Sequence, residues 1–171
     1  MARFDIAIVL VRYWEGGYSN RADDKGGETY AGISRKHNPH WPGWAAVDAA
    51  KPLNRYAIVP AAEPHVNSYY EAHYWPKIKG DDIADQRVAG FLFDWYVNSG
   101  AWATRAVQRM VGVTVDGKIG PKTVAAINAA GPGLFGRLQV ARVAFVHGIV
   151  RRDPKQRVNL AGWLRRINSF Q

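Results

Sequence analysis

Apolar residues recur at helical spacing in segment after segment of this chain, and this pattern constrains its fold more than any other feature. The spacing predicts a first helix over residues 3–15, whose apolar face consists of Phe4, Ala7, Ile8, Val11 and Trp14. Gly16 and Gly17 follow at once, and glycine readily adopts the left-handed conformation that ends a helix. A helix ending at Glu15 is therefore the first prediction.

The rest of the chain continues in the same way. Apolar periodicity and Pro/Gly boundaries predict six further helices, over residues 62–74, 83–99, 101–111, 121–130, 134–151 and 160–170. Residues 18–33 are polar and glycine-rich, which indicates a turn-rich loop or a small hairpin. Residues 34–60 are predicted to be irregular. We therefore expect an all-α domain with at most a short hairpin after the first helix.

Composition excludes several classes of site. The chain has 171 residues, of which 47% are hydrophobic, and this is enough to form a core without disulfides or structural metals. The absence of cysteine excludes disulfides and thiolate metal sites. We expect no metal or organic cofactor. The apolar run at residues 6–11 is too short to span a bilayer and lacks a cleavage site. The expectation is synthesis in the cytoplasm without a signal peptide, so a site of action outside the membrane would require release through a holin or another export route.

The net charge of +9 is unevenly distributed. Through Gly90 the chain has eleven basic and eleven acidic residues, whereas twelve basic residues face only three acidic ones from Phe91 onward. Such an excess serves solubility, or it attracts a polyanion. No nucleic-acid motif accompanies it, so we expect residues 137–166 to contact anionic cell wall or membrane rather than nucleic acid.

Glu15 is the best candidate for acid chemistry. Glycoside hydrolysis requires a protonated carboxyl that donates to the leaving oxygen, and usually a second carboxylate. A position at the C-terminal end of a helix, beside Tyr13, Trp14 and Tyr18, favours the neutral form of the carboxyl. The glycines that follow leave room for a substrate. An ordinary solvated glutamate at a helix end is the alternative.

An ordered series of motifs resembles the signature of glycoside hydrolase family 108. It begins with Glu15-Gly16-Gly17-Tyr18-Ser19-Asn20 and runs from Asp23 to Ile33 as DDKGGETYAGI. It continues with His73-Tyr74-Trp75, Phe93-Asp94, Val97-Asn98-Ser99-Gly100 and Gly162-Trp163-Leu164-Arg165-Arg166. The resemblance covers nearly the whole chain.

This resemblance implies a lysozyme-like helical fold and N-acetylmuramidase activity, with Glu15 as the catalytic acid. The expected partner is the glycan strand of peptidoglycan, cut at the β-1,4 bond between N-acetylmuramic acid and N-acetylglucosamine by a monomeric enzyme. A lytic transglycosylase and a non-catalytic wall-binding or secretion factor are the alternatives. A third is that the amphipathic C-terminal segment, with Trp163, Leu164, Ile167 and Phe170 beside Arg165 and Arg166, disturbs membranes.

The second catalytic residue is predicted to be Asp24. Phage lysozymes of related fold have a glutamate, then eight residues, an aspartate, five residues and a threonine. Asp24 follows Glu15 at that spacing, but Tyr30 stands at the threonine position and Thr29 lies one place early. Asp23 and Asp24 are equally suited to shaping a turn through their side chains.

Five further residues are candidates for substrate binding. Tyr18, Thr29 and Tyr30 belong to the hairpin that we expect to form one wall of the cleft. Asp94 and Asn98 lie one helical turn apart and share a face. If that face lines the cleft they bind sugar or orient water, and if it is buried they satisfy neighbouring polar groups.

A second resemblance lies in the C-terminal part. Residues 106–113 and 115–123, which include Asp116-Gly117, are similar to the peptidoglycan-binding module, in which two helices and an Asp-Gly turn form a shallow wall-binding face. A plain helix–turn–helix that closes the core is the alternative. We therefore expect a catalytic region over residues 1–100 and a peptidoglycan-binding-like region over 101–171, integrated into one domain.

Overall fold

The computed structural model describes residues 1–20 and 27–170, and within them the chain forms eight α-helices and one small sheet. The helices are α1 (Phe4–Glu15), α2 (Gly43–Ala49), α3 (Glu63–His73), α4 (Gln86–Ser99), α5 (Ala101–Val111), α6 (Pro121–Ala129), α7 (Leu134–Arg152) and α8 (Arg157–Asn168). Short 3-10 turns occupy Pro60–Ala62, Trp75–Ile78, Gly80–Asp82 and Pro154–Gln156. The prediction of a helical fold with a small hairpin after the first helix is confirmed.

The chain divides into two compact units, one formed by residues 1–10 and 73–171 and the other by residues 11–72. The first, which we call the helical unit, has α4 at its centre. Phe91 meets Phe135 and Phe170 edge to face, with ring centroids 5.7 and 5.3 Å apart. Burial of such side chains contributes about 1.5–3 kcal/mol each. Because Ile167 and Phe170 are buried in this core, they are not available to a membrane.

The second unit, which we call the sheet unit, is built around three strands of two residues each. These are β1 (Tyr18–Ser19), β2 (Thr29–Tyr30) and β3 (Ile33–Ser34), joined antiparallel in the order β1-β2-β3. Ala31 and Gly32 connect β2 to β3 with φ angles of 50° and 77°. Positive φ at both central residues is what a type I′ hairpin turn requires.

One helix was not predicted from the sequence. Residues 34–60 were expected to be irregular, but Gly43–Ala49 forms α2, with Trp44 and Val47 buried. Trp41 stacks edge to face on Trp44, with 5.0 Å between ring centroids. Seven residues are too few for periodicity to reveal a helix, and here tertiary packing of two tryptophans overrides the nearby prolines.

Capping explains where the central helix begins. The carboxylate of Asp85 accepts hydrogen bonds from the backbone N–H groups of Arg87 and Val88, at 2.8 and 3.3 Å. Aspartate is a preferred N-cap, so α4 begins at Gln86 rather than at residue 83. Among the described helices, none is long and apolar enough to cross a membrane.

Candidate active site

The last turn of α1, with Glu15, belongs to the sheet unit. Gly16 has a φ of 67° and breaks the helix directly after Glu15. A Cβ on Gly17 would lie 2.2 Å from the carbonyl oxygen of Ala57, so only glycine fits there. Beyond it, the N–H of Tyr18 donates to that same oxygen at 2.9 Å. In the Glu-Gly-Gly-Tyr sequence, Gly16 thus ends the helix, Gly17 allows close contact with the backbone of Ala57, and Tyr18 begins β1.

The carboxyl group of Glu15 lies against the turn between β2 and β3. A Cβ on Gly32 would be 2.9 Å from Oε2 of Glu15 and 2.9 Å from the hydroxyl of Tyr70. Because Gly32 has no side chain, the Glu15 carboxyl and the Tyr70 hydroxyl can both lie close to its backbone. The hydroxyl of Tyr70 donates to the carbonyl oxygen of Ala31 at 2.9 Å, which fixes this turn against α3. Glu15 itself is half-buried.

An ion-paired network holds the last turn of α1. Arg12 pairs with Glu63 at 2.7 Å, and the hydroxyl of Tyr30 donates to the other oxygen of Glu63 at 2.6 Å. The backbone N–H of Val59 donates to the same hydroxyl at 2.7 Å. Burial, followed by the hydrogen bond to Glu63, raises the pKa of Tyr30 to about 12. The network ties α1, β2 and the start of α3 together.

A second charged cluster stands beside β1 and β2. Glu28 pairs with Arg35 at 2.5 Å and with Lys51 at 2.7 Å, and it accepts a hydrogen bond from Tyr18. Burial acts to raise the pKa of Glu28, but its bonds to Lys51, Arg35 and Tyr18 outweigh burial and lower it. Burial, then the contact with Glu28, raises the pKa of Tyr18. Asp48 also pairs with Arg35 at 2.6 Å and with Lys51 at 2.8 Å, so the cluster contains two acidic and two basic side chains and is neutral overall.

The predicted substrate residues of the hairpin differ in accessibility. Tyr30 has no accessible surface, and Tyr18 is buried, so in this structure both support the hairpin from within. Thr29 is half-buried, and its hydroxyl lies 3.5 Å from the carbonyl oxygen of Ser19. Asp24, the predicted second carboxylate, and its neighbour Asp23 lie outside the described residues. The structure therefore brings Glu15 to this hairpin and gives no position for Asp24.

Asp94 lies in the core of the helical unit. It has no exposed surface and pairs with Arg142 and Arg166, each at 2.6 Å. Burial lowers the pKa of Arg142, while the charge of Asp94 acts to raise it. Asn98 is exposed and donates to the backbone oxygen of Asp94 at 2.8 Å. Asp94 therefore fits the second alternative for this helix face, in which a buried residue satisfies neighbouring polar groups.

The Asp-Gly turn of the C-terminal region is built around Gln108. The buried amide of Gln108 donates to Asp116 at 2.7 Å and to the carbonyl oxygen of Lys118 at 2.9 Å, and its oxygen accepts from Gly117 at 2.8 Å. A groove of about 770 Å³ runs beside this turn and the start of α6. Its lining includes the side chains of Lys118 and Lys122.

No group of three or more His, Cys, Asp or Glu side chains in residues 1–20 and 27–170 is arranged to hold an ion. Glu28 and Glu63 are instead paired with arginine, lysine or tyrosine.

Glu63, Tyr70 and Tyr56 were not predicted from the sequence to lie near the Glu15 motif, and the Tyr56 ring is 3.6 Å from where a Cβ on Gly16 would be. Glu63 and Tyr70 stand on α3, far along the chain from Glu15, and reach the hairpin only through folding. A glutamate in the first turn of a helix also has an ordinary explanation, because it complements the helix dipole. Tyr56 is an exposed aromatic residue within a stretch that was expected to be irregular.

Comparisons with known sequences and structures found similar proteins. The sequence model of the family described as glycosyl hydrolase 108 matches residues 8–100, and that of a predicted peptidoglycan domain matches residues 102–168. The solved structure of Brucella abortus SagA is similar, with a TM-score of 0.64 and 28% identity over 98% of this chain and 94% of that chain. No curated protein matches.

The first of these matches spans more than half of the chain and includes Glu15, Gly32 and Tyr70. The second includes Gln108 and the Asp-Gly turn that it holds. Together they join a glycosidase region to a peptidoglycan-binding region in one chain. The chain belongs to the glycosyl hydrolase 108 family and is a peptidoglycan hydrolase.

Proposed function

We propose that this protein is an N-acetylmuramidase, which hydrolyses the β-1,4 bond between N-acetylmuramic acid and N-acetylglucosamine with Glu15 as the general acid. The observation that carries the proposal is the position of the Glu15 carboxyl. It is half-buried at the end of α1, against the glycine turn that joins β2 to β3. A general acid must reach the glycosidic oxygen, and this carboxyl is both accessible and tightly placed.

Rigid placement supports this role. The Arg12–Glu63 pair acts one helical turn before Glu15, and the Tyr70 bond to Ala31 fixes the turn on the other side of the carboxyl. A catalytic group held by packing and hydrogen bonds keeps its geometry through the reaction, which lowers the entropic cost of the transition state.

We assign the second carboxylate to Asp24, as the base for the attacking water or as the stabiliser of the developing positive charge. Its support is its spacing from Glu15 alone. Asp24→Asn should lower turnover by about a hundredfold or more if it acts directly. If Asp24 only shapes its loop, the same variant should lose thermal stability and keep nearly normal turnover. Both quantities can be measured on one preparation.

The central experiment is digestion of purified peptidoglycan by the wild type and by Glu15→Gln, followed by mass spectrometry of the released muropeptides. The amide keeps the shape of the side chain but has no proton of useful acidity. We expect products with reducing N-acetylmuramic acid ends from the wild type and none from the variant. Glu71→Gln is the matched control, since Glu71 is exposed on α3, and it should retain full activity.

Each alternative function has its own signature in this experiment. Products with 1,6-anhydro ends would identify a lytic transglycosylase instead. Lysis by a folded Glu15→Gln protein would exclude Glu15 as the acid. No products from the wild type, combined with retained binding to the wall, would indicate a non-catalytic wall-binding protein. Because the substrate is the wall, we propose that the enzyme acts outside the cytoplasmic membrane.

A further inference from the structure

Tyr56 is an exposed aromatic residue that lies directly beside the turn following Glu15. We propose that its ring is a subsite for the glycan strand, on which the apolar face of an N-acetylhexosamine ring stacks. The inference rests on the proposed function and extends it to a part of the chain outside the hairpin. About 60% of the surface of Tyr56 is accessible, so the residue is not part of the core.

The backbone of Tyr56 is held in an unfavourable conformation. Its φ is 67°, in the left-handed region that residues with a Cβ rarely adopt. The N–H of Tyr56 donates to the carbonyl oxygen of Tyr18 at 2.7 Å, and the N–H of Tyr18 donates to Ala57 at 2.9 Å. These two bonds fix the segment to β1. An exposed bulky residue thus has its direction fixed by the fold.

The strain is concentrated around the start of β1. Three described residues other than glycine have positive φ, namely Ala31, Tyr56 and Lys79. Ala31 donates its N–H to the oxygen of Gly17 at 3.0 Å, so Ala31 and Tyr56 bond to consecutive residues of the Glu-Gly-Gly-Tyr motif. Strained backbone persists where the surroundings determine it, and it clusters at binding and catalytic sites.

The glycines after Glu15 let the Tyr56 segment approach. A Cβ on Gly16 would lie 3.6 Å from Cδ1 of Tyr56, which puts the edge of the ring in contact with the helix stop. A Cβ on Gly17 would lie 2.7 Å from the carbonyl oxygen of Tyr56, and would collide with it. The ring is therefore adjacent to the residue that directly follows the catalytic acid.

The chemistry around the ring suits a sugar. The guanidinium of Arg55 lies over the ring with its central carbon 4.4 Å from the ring centroid, which steadies the ring by a cation–π contact. Tyrosine combines a flat apolar face with a polar edge, and guanidinium groups donate to hydroxyl and amide oxygens. A pyranose ring presents an apolar C–H face and a rim of such oxygens.

Binding of a soluble β-1,4-linked N-acetylglucosamine tetrasaccharide tests this inference, measured by titration calorimetry on full-length Glu15→Gln protein so that nothing is cleaved. Adding Tyr56→Gly should weaken binding about two- to tenfold, which is the range for loss of an aromatic contact. The melting temperature should stay the same or rise, because glycine accepts the positive φ. Tyr56→Phe keeps the ring and should bind like the parent.

Ile58→Ala is the matched control, because Ile58 is an exposed apolar residue of the same segment and has no ring. It should leave the affinity unchanged. Equal affinity of the Tyr56→Gly protein and its parent would overturn the subsite, as would equal weakening by Tyr56→Phe or no binding by the parent. Failure of the proposed function is a separate result, because it is decided by the muropeptides released by the wild type and by Glu15→Gln and not by the affinity of the Tyr56→Gly protein.

Discussion

The sheet unit and the helical unit hold their acidic residues in opposite ways. In the sheet unit, Glu15 lies half-buried against a glycine turn, and Glu63 beside it is satisfied by Arg12 and Tyr30. In the helical unit, Asp94 is fully enclosed by large side chains and two arginines. Both Glu15 and Asp94 stand on helices and in family motifs. What separates an accessible acid from a structural one is the bulk of the residues packed around it.

The buried pair of the helical unit should show the largest effect on stability. Asp94→Ala should lower the free energy of unfolding by about 3–5 kcal/mol, because it leaves the Arg142 guanidinium buried without its carboxylate. Urea unfolding measures the loss. Asp5→Ala is the control, since Asp5 pairs with Arg3 on the surface, and it should change stability little. Similar losses in both variants would contradict a structural role for Asp94.

The glycine turn of the sheet unit should show the next largest effect. Gly32→Ala combines a positive φ with a contact 2.9 Å from the Glu15 carboxyl and the Tyr70 hydroxyl. We expect a loss of about 2–3 kcal/mol in stability together with lower turnover. Thermal unfolding and muropeptide release measure the two.

Gly27→Ala separates the effect of positive φ from the effect of the steric contact with Glu15 and Tyr70. Gly27 has a φ of 68°, but a Cβ there would meet nothing within 4 Å. This variant should lose only about 1 kcal/mol through backbone strain and keep its turnover. Equal behaviour of the two alanine variants would mean that space beside Glu15 is not what Gly32 provides.

The network behind the site should show a pH-dependent effect of moderate size. The pKa of Tyr30 in the fold is about 12, against an ordinary value of 10.0. The contribution of the protonated Tyr30 hydroxyl to the free energy of unfolding is therefore complete below pH 10 and is lost as the pH rises toward 12. Tyr30→Phe should lower stability by about 1–2 kcal/mol at pH 8, because Glu63 and the Val59 N–H lose a partner.

Unfolding free energies measured from pH 8 to pH 11.5 test the Tyr30 prediction. The difference between the wild type and Tyr30→Phe should shrink as the pH rises. Tyr13→Phe removes an exposed hydroxyl and should follow the wild-type curve. A constant difference between the wild type and Tyr30→Phe across this range would refute the link between this hydroxyl and alkaline stability.

Surface charge on the helical unit should produce the smallest effect. Six of the eight basic residues of segment 137–166 are exposed, whereas Arg142 and Arg166 are buried in the Asp94 cluster. Replacing Arg151 and Arg152 by glutamate should lower activity on whole anionic walls about two- to tenfold at low salt, since each exposed pair contributes at most about 1 kcal/mol. Raising the salt should lower wild-type activity similarly, because exposed charges are screened over about 8 Å at physiological ionic strength.

A short soluble glycan is the control substrate for the charge prediction. Its hydrolysis depends on the site around Glu15 and not on attraction to a charged surface, so it should respond little to salt or to the two reversals. Equal salt sensitivity on both substrates would assign the basic residues to solubility or folding.

Local sequence determined most of the helices and the backbone geometry that follows Glu15. Apolar spacing and Gly or Pro boundaries predicted α1 and α3–α8 to within a few residues, because a helix buries one stripe and must be ended by a residue that permits it. The Glu-Gly-Gly-Tyr motif predicted Glu15 as the candidate acid and the helix end that follows it. Both predictions depend only on residues that are adjacent in the chain.

Tertiary structure decided which polar residues are accessible and which partners they have. Glu63 and Tyr70 reach the hairpin from α3, and Arg142 and Arg166 reach Asp94 from α7 and α8. Tyr30 was predicted to contact substrate and is enclosed, while Tyr56, in a segment without periodicity, is exposed. Burial and ion pairing depend on residues far apart in the chain, so they are set only when the whole core packs.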